Sequence, residues 1–479
     1  MVQTSKSGQN VLLICFINVM VVAGLIFFTI RGGLERALPF ALFAVVLAPG
    51  ECRIGMGLFD LTTQRVVVLT LAALFLSFPV ETKGSLRGRT VPFKWIMLVS
   101  IVWSVVAAVN SIVPIASFKS VLSLVLDYYL LYLICWKSIT RVETIRNIMT
   151  AMVAALGVCC VFGILEEYRQ WSVKSLFPIQ IHLFNAGGVL LFDDERGLRI
   201  TSTFGHAILF GAALAIGIPI ALYLLSVAKR FWERVFLWIS ILLMSLNIYK
   251  TVSRGPWLGL TIALVLLLLL GQGKLKKQVL IVGAIAITVL VARPGIWGTV
   301  KGIYANSSDT NTTTGSSYEY RYGLTRAAIR AVGKDFSRMA WGYGQGSAYY
   351  LGLQGEMGGV PHTFLSCDST WVGLLLDSGY IGLAIFATLF VKAAFVTWRN
   401  SRRKSTIDRN LSVVLFINLI TYYFIMTSVA LFDQNWYILW MLIAAALVHG
   451  RLKRSSRMPH DAQLHTCLEP EPAGLGALD

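Results

Sequence analysis

Seven arginines stand in polar segments of an otherwise oily chain: Arg196, Arg199, Arg254, Arg321, Arg326, Arg330 and Arg338. A guanidinium stays charged at any physiological pH and presents a planar fork of donors that matches phosphate oxygens two at a time. Arg254 has the most informative setting, the run YKTVSRGPWLGL at 249–260. Pro256 fits the first turn of a helix, which leaves the Ser253 and Arg254 amides at a helix N-terminus, the positive end of its dipole. A guanidinium beside that end makes a site for phosphate or pyrophosphate. The competing reading is an arginine that snorkels to lipid headgroups.

Other chemically able groups carry less. Asp193, Asp194 and Glu195 form an acidic cluster, but no second cluster supplies further cation ligands, so a solvated loop is expected there. Asp127 and Asp377 fall inside apolar runs, where an ionisable group is costly and calls for pairing, capping or a function. GYGQG at 342–346 does not follow a strand, and its glycines read as a tight turn. Four cysteines (Cys15, Cys135, Cys159, Cys160) sit inside apolar runs and three (Cys52, Cys367, Cys467) outside, with no zinc or disulfide spacing. The sequence contains no Walker, zinc or Asp-x-Asp sugar-nucleotide motif.

The elements that must position these groups are membrane helices. The 479 residues are 56% hydrophobic and 14% charged, far from a soluble composition. Apolar runs of the length a bilayer requires occur at about 11–30, 37–50, 64–80, 93–110, 119–136, 147–165, 205–227, 231–249, 256–270, 278–293, 369–393, 411–430 and 434–449. Two are short, so the expectation is an all-α, polytopic protein with 12 to 13 transmembrane helices. The first run is too long for a signal-peptide core and reads as a retained helix. The net charge of +18 raises nucleic acid as a partner, but topology explains it better. Clusters such as Lys137/Arg141/Arg146, Lys274/Lys276/Lys277 and Arg399/Arg402/Arg403 fall on alternate loops, which the positive-inside rule places in the cytoplasm together with the C-terminus. Two long loops, about 166–204 and 294–368, then face outward, with the short loops near Cys52, Pro114, Lys250 to Arg254 and Asp433. Thirteen crossings put the N-terminus outside and twelve put it inside. The chain thus divides into a helical membrane domain (1–457), a large outer loop within it (294–368) and a tail (458–479) too polar and proline-rich to order itself. Inside the loop, 306–317 reads as a linker, and 318–333 as an amphipathic helix near the membrane surface.

Three motifs together resemble the O-antigen ligase and polysaccharide polymerase (Wzy-like) family of bacterial inner-membrane glycosyltransferases. RITSTFGHAILFGAALAIGIPIAL (199–222) is similar to its arginine–Thr–Phe–Gly element and TVSRGPWLGL (251–260) to its Ser-Arg-Gly element. The third runs from GSSYEYRYGLTRAAIRAV (315–332) through GYGQG to DSTWVGLLLDSGYIGLAIF (368–386). The resemblance implies transfer of a glycan from undecaprenyl pyrophosphate to an acceptor hydroxyl at the periplasmic face, with no nucleotide sugar, metal or other cofactor. It assigns donor-phosphate binding to Arg199, Arg254 and Arg321, with Arg326 beside them. Family ligases carry His-Asn before the late helix; here the aligned pair is Asp368-Ser369, and the nearest histidine is His362. Either group can serve as a general base, Asp368 by alignment and His362 by chemistry. The missing His-Asn pair favours polymerisation of exopolysaccharide or O-antigen repeat units over ligation to lipid A core. Expected partners are the lipid-linked donor, a lipid-linked or lipid A core acceptor, the bilayer and other polysaccharide-assembly proteins, with no nucleic acid. A transporter or flippase is the rival from another class, supported by Asp127 and Asp377 and opposed by the lack of related halves.

Overall fold

The computed structural model describes residues 2–50, 52–55, 60–78, 91–177, 190–193, 197–292, 298, 313–402 and 406–455. The tail 458–479, the start of the expected linker (306–312), Asp194, Glu195, Arg196 and Cys467 lie outside them. Each of the thirteen apolar runs coincides with a helix. In chain order these are α1 (Val2–Gly32), α2 (Leu34–Leu47), α3 (Thr63–Ser77), α4 (Lys94–Val109), a pair α5 (Pro114–Ser123) and α6 (Leu130–Ser138), then α7 (Val142–Arg169), α8 (Ala207–Val227), α9 (Phe231–Lys250), α10 (Arg254–Leu270) and α11 (Lys274–Ala292). After the outer loop come α14 (Thr370–Ser401), α15 (Thr406–Ile425) and α16 (Gln434–Ser455). Six of these helices are long and apolar enough to cross a membrane unaided. Shorter ones, such as α3 and α10, are apolar along their length and pack among them. The protein is an all-α polytopic membrane protein. Its centre is α8, a helix with no charged residue, whose first five turns are buried almost throughout.

The loops sort onto two ends as the charge pattern requires. At one end Gln434 Nε2 donates to Ala48 O and Thr203 O (2.9 Å each), Ile200 N to Lys250 O, and Ile112 N to Tyr343 O. At the other, Thr140 binds Glu35, Asn410 binds Gln272, and Arg451 Nη2 reaches Ile139 O. Ile14, in the first half of α1, packs with Cys52 and Phe177 at the first end.

Two irregularities shape the membrane part. Between α5 and α6 the chain widens into a π turn, Leu124–Tyr129. It carries Asp127, whose carboxylate takes both prongs of Arg65 at 3.0 and 2.7 Å. The charge inside an apolar run is therefore paired. α14 is broken at Gly379 (φ 66, ψ −171), and a break orphans the carbonyls ahead of it. Each finds a donor: Tyr343 N reaches Leu376 O at 2.8 Å, Gly344 N reaches Asp377 O at 3.0 Å, and Trp103 Nε1 reaches Ser378 O at 3.0 Å. GYGQG is the turn that fills this break. The two backbones come so close that a Cβ on Gly379 would sit 2.3 Å from Ala340 O and one on Gly342 2.4 Å from Leu376 O. Ala348 N also donates to Asp377 Oδ1 at 3.3 Å, which makes Asp377 a cap for the turn.

The long loop before α14 forms a small lobe of α12 (Thr313–Val332), α13 (Phe336–Trp341) and an antiparallel hairpin, β5 (Leu353–Met357) with β6 (Val360–Phe364). Helix α12 begins five residues earlier than the linker allowed, at Thr313. Its apolar face (Leu324, Ala327, Ala328, Val332) packs on Leu353, Phe364, Val372, Leu375 and Leu376. The expectation of a surface-bound amphipathic helix is corrected here: protein, not lipid, covers that face. Two short hairpins, β1 (Arg53–Gly55) with β2 (Asp60–Thr62) and β3 (Leu191–Asp193) with β4 (Gly197–Arg199), complete this end.

Candidate functional site

Arg199 ends β4 and is 6% exposed. Its Nε donates to Thr251 O (3.2 Å) and its Nη2 to Ser253 Oγ (2.9 Å), while Nη1 lies 4.0 Å from Asp193 Oδ2 across the hairpin. Asp193 thus faces an arginine, and the solvated-loop reading fails for it. Ser253 is the N-cap residue of α10, yet its hydroxyl turns away to bond Thr251 O and does not cap the helix. Arg254 is the first residue of α10 and Pro256 the third, the helix start that the sequence implied, with Ser253 and Pro256 buried and Arg254 half-buried. Gly255 lets α15's far end come close, since a Cβ there would meet Ser428 Oγ at 2.7 Å.

Arg321 arrives from the outer lobe on α12. Together Arg199, Ser253, Arg254, Gly255, Ser317, Arg321, Ile208 and Ser428 line one cavity of about 30 Å3. Three arginines separated by 55 and 67 positions in the chain meet there, from a hairpin, a helix start and a lobe. Asp193 stands against Arg199 and Asp368 against Arg321, and guanidinium forks gathered round one cavity suit phosphate oxygens.

Asp368 stands beside this cavity. Its Oδ2 is 3.9 Å from Arg321 Nη2, and Ser366 Oγ donates to its Oδ1 at 3.1 Å. Ser366 is itself fixed by Tyr320, whose hydroxyl donates to Ser366 O (2.9 Å) and accepts from Ser366 N (3.1 Å). Burial raises the Tyr320 phenol above its usual range, against the pull of the Ser366 hydrogen bonds, so it remains a donor. His362 is placed elsewhere, in the middle of β6 opposite Gly355, with its ring edge-on to Tyr320 and Phe364 at 5.8 and 5.1 Å. Arg326 does not join the cluster either. It is exposed and lies over the Tyr322 ring at 5.6 Å, because five helical residues at about 100° each turn it roughly 140° from Arg321.

Sequence reasoning missed the groups that hold the Arg199 segment. Glu166, buried at the end of α7, accepts the Thr201 and Ser202 amides at 2.7 and 2.9 Å and the Ser172 hydroxyl at 2.6 Å. Lys174, also buried, reaches Thr201 Oγ1 at 2.7 Å. Ser202 is held at φ 55, an uncommon conformation for a non-glycine residue that surroundings must enforce. The signal was present: Glu166 directly follows an apolar run, and Lys174 lies in the loop that rejoins the site. His206 was overlooked as well; its Nδ1 caps α8 by accepting from Ile208 N at 3.2 Å. Among the described residues no group of His, Cys, Asp and Glu has the makings of a metal site.

No curated protein matches the chain. A family model described as O-antigen ligase (Wzy_C) matches residues 239–387, just under a third of the sequence. The match includes Arg254, Arg321 and Asp368; Arg199 precedes it and joins through space. By that match, which runs from α9 through the lobe to the first half of α14, the chain carries a domain of the O-antigen ligase (Wzy-like) family.

Proposed function

We propose that the protein transfers a glycan from undecaprenyl pyrophosphate to an acceptor hydroxyl at the periplasmic face of the bacterial inner membrane, polymerising exopolysaccharide or O-antigen repeat units. The observation that carries this reading is the convergence of Arg199, Arg254 and Arg321 on one cavity at the start of α10, with Asp368 next to it. The orientation rests on the charge pattern: the end with Arg451, Lys274 and Lys137 faces the cytoplasm, and the arginine site faces outward.

In this scheme the acceptor oxygen attacks the anomeric carbon, a new C–O bond forms, and the bond from that carbon to the pyrophosphate oxygen breaks. The electron pair leaves with undecaprenyl pyrophosphate, and the acceptor proton passes to the Asp368 carboxylate. Negative charge grows on the leaving oxygen as its bond lengthens, which fixed guanidiniums stabilise more in the transition state than in the ground state. The cavity of about 30 Å3 admits a pyrophosphate once the arginine side chains part around it. Arg199 cannot part far, being tied to Thr251 and Ser253, so it serves as the fixed wall. Polymerisation is preferred to ligation because Asp368-Ser369 stands where ligases of the family carry His-Asn. Ligation to lipid A core is the second reading, favoured by the description of the matching family.

The test is transfer by purified protein in nanodiscs, with an undecaprenyl-pyrophosphate glycan as donor. Lengthened lipid-linked glycan is expected, and it should form in excess chelator. Arg254→Lys, which keeps charge and loses the planar fork, should lower turnover by about 10² or more, the range of a lost charge-stabilising donor. Product only on a lipid A core acceptor turns the assignment to ligation. Wild-type turnover by Arg254→Lys removes the phosphate role.

A further inference from the structure

At the end of the membrane domain away from the arginine site, α9 and α11 both pack on α8. Between them, over the last turn of α8, lies a cavity of about 240 Å3, roughly eight times the share of one water in the liquid. Its walls are graded. On α11, Lys274, Lys277, Gln278 and Ile281 line it, at the i, i+3, i+4 and i+7 spacing of one helical face. On α9 the lining pair is Arg234 and Trp238, one turn apart. Both helices start at this end, so on each the cations stand by the loops and the apolar group lies deeper. Lys274 and Ile281 are separated by about 10 Å along the helix axis. Trp238 and Ile281 are 37% and 40% exposed, so the deep part of the cavity opens toward hydrocarbon.

Topology alone puts lysine and arginine on this face, so their number carries nothing; their surroundings do. Among the described residues the Arg234 guanidinium makes one hydrogen bond, Nε to Ala228 O at 3.2 Å, and no ion pair, and the Lys274 and Lys277 ammonium groups make neither. Glu233, the acid in the first turn of α9, faces Arg230 at 3.9 Å. Capping the end of α8 explains one nitrogen of Arg234 and neither lysine. Lysines in the first turn of α11 also oppose its dipole, so no local helix rule places them there. Gln278 adds a group of another kind: its Oε1 is buried with no hydrogen-bond partner among the described residues. Buried polar atoms are nearly always paired, and each exception asks for a partner. The cations suit a phosphodiester, the glutamine acceptor suits a hydroxyl, and Trp238 with Ile281 suits an acyl chain.

We propose that this cavity binds the head of an anionic phospholipid from the adjoining leaflet, a phosphodiester that carries a free hydroxyl, as in phosphatidylglycerol. Basic pockets between membrane helices on the cytoplasmic side take anionic heads of this kind. A soluble phosphate ester offers the same anion but leaves the apolar depth unfilled, so the gradient along both helices selects the lipid. The cavity shares no lining residue with the arginine site, and the inference stands or falls without the donor reading.

The experiment titrates the full chain in detergent micelles with phosphatidylglycerol, phosphatidic acid or phosphatidylcholine and counts bound lipid by native mass spectrometry. Wild type should hold one phosphatidylglycerol about tenfold or more tightly than phosphatidylcholine. Lys274→Gln and Lys277→Gln, both at exposed positions, should each weaken it about fivefold. Lys276→Gln, on the same turn but outside the lining, should stay within about twofold, since the contact and not the general charge is what the site supplies. Gln278→Leu should weaken phosphatidylglycerol and leave phosphatidic acid, which lacks the second glycerol, unchanged. Equal losses in Lys276→Gln and Lys274→Gln reduce the site to the field of a basic surface and overturn the inference. Phosphatidylcholine bound as tightly as phosphatidylglycerol does the same, and so does displacement of the lipid by an equal concentration of glycerol phosphate. Equal loss of both anionic lipids in Gln278→Leu overturns the hydroxyl-bearing head.

Discussion

Arg199 provides a quantitative test through two of the bonds that hold its guanidinium. Its fork holds Thr251 O and Ser253 Oγ, and Ser253 Oγ also donates to Thr251 O at 2.9 Å. In Arg199→Lys a single ammonium can keep Ser253, and Thr251 O still has the serine proton, so the net loss is one charge-assisted hydrogen bond. Such a bond is worth about 1.5–3 kcal/mol, and the surviving serine bond puts the cost at the low end, about 1.5 kcal/mol or roughly tenfold. Arg199→Met loses both bonds and leaves Asp193 without the guanidinium 4.0 Å away. Breaking a buried pair costs up to about 3–5 kcal/mol of stability, and separately the loss of a donor that stabilises transition-state charge costs roughly 10²- to 10³-fold in kcat/KM. The assay is initial-rate transfer at matched membrane levels, with thermal unfolding measured in parallel. The reasoning is refuted if Arg199→Met falls less than tenfold with the fold retained, or if its loss of Tm accounts for the whole loss of rate.

Asp368→Asn keeps the Ser366 contact and removes the proton acceptor, so transfer should fall about 10²- to 10⁴-fold, the usual cost of a lost general base. His362→Ala should stay within about threefold, and the reverse pattern would move the base to β6. Gly379→Ala should lower Tm sharply, since the left-handed backbone alone costs about 1–2 kcal/mol and the added Cβ meets Ala340 O at 2.3 Å; an unchanged Tm would show that the break relaxes freely. Burial pushes the Cys367 thiol up to about 12. It therefore stays protonated at pH 8, with thiolate near 10⁻⁴ of the population, and maleimide should reach it far more slowly than a cysteine placed at exposed Gly358. Equal rates would mean that the lobe core is open, and failure of outside reagent to label position 358 in intact cells would invert the assigned orientation.

The helices were legible because hydrophobicity is read directly from composition: a run of about 20 apolar residues has few alternatives in a bilayer. The irregular places were not. The π turn around Asp127 depends on Arg65, sixty-two residues away, and the break at Gly379 depends on a turn that precedes the helix in sequence; neither partner is visible in a local window. The hairpin at 353–364 is short, but Gly358 and Gly359, both at positive φ, and the alternation of Leu353–Met357 ahead of them are a hairpin signal that the reading of the loop passed over. Three arginines of the site could be named because each sits in a recognisable motif. Glu166 and Lys174, which hold the segment after Arg199, belong to no motif, and only the folded chain brings them to Thr201. Arg326 was drawn in by proximity in sequence, where helical geometry sends it to another face.

The turn lodged in α14 also constrains how the protein is made. The lobe's core is finished by Val372, Leu375 and Leu376, which belong to a helix synthesised after the lobe. Domains generally fold as units as the chain emerges, but here residues 313–368 are synthesised before the surface they must close upon exists. The lobe waits, its Leu324 and Phe364 still wet, until α14 is inserted and its gap at Gly379 receives residues 342–344. Residues 313–368 produced alone should accordingly fail to fold, and a lobe exchanged between relatives should work only when the first half of the following helix travels with it.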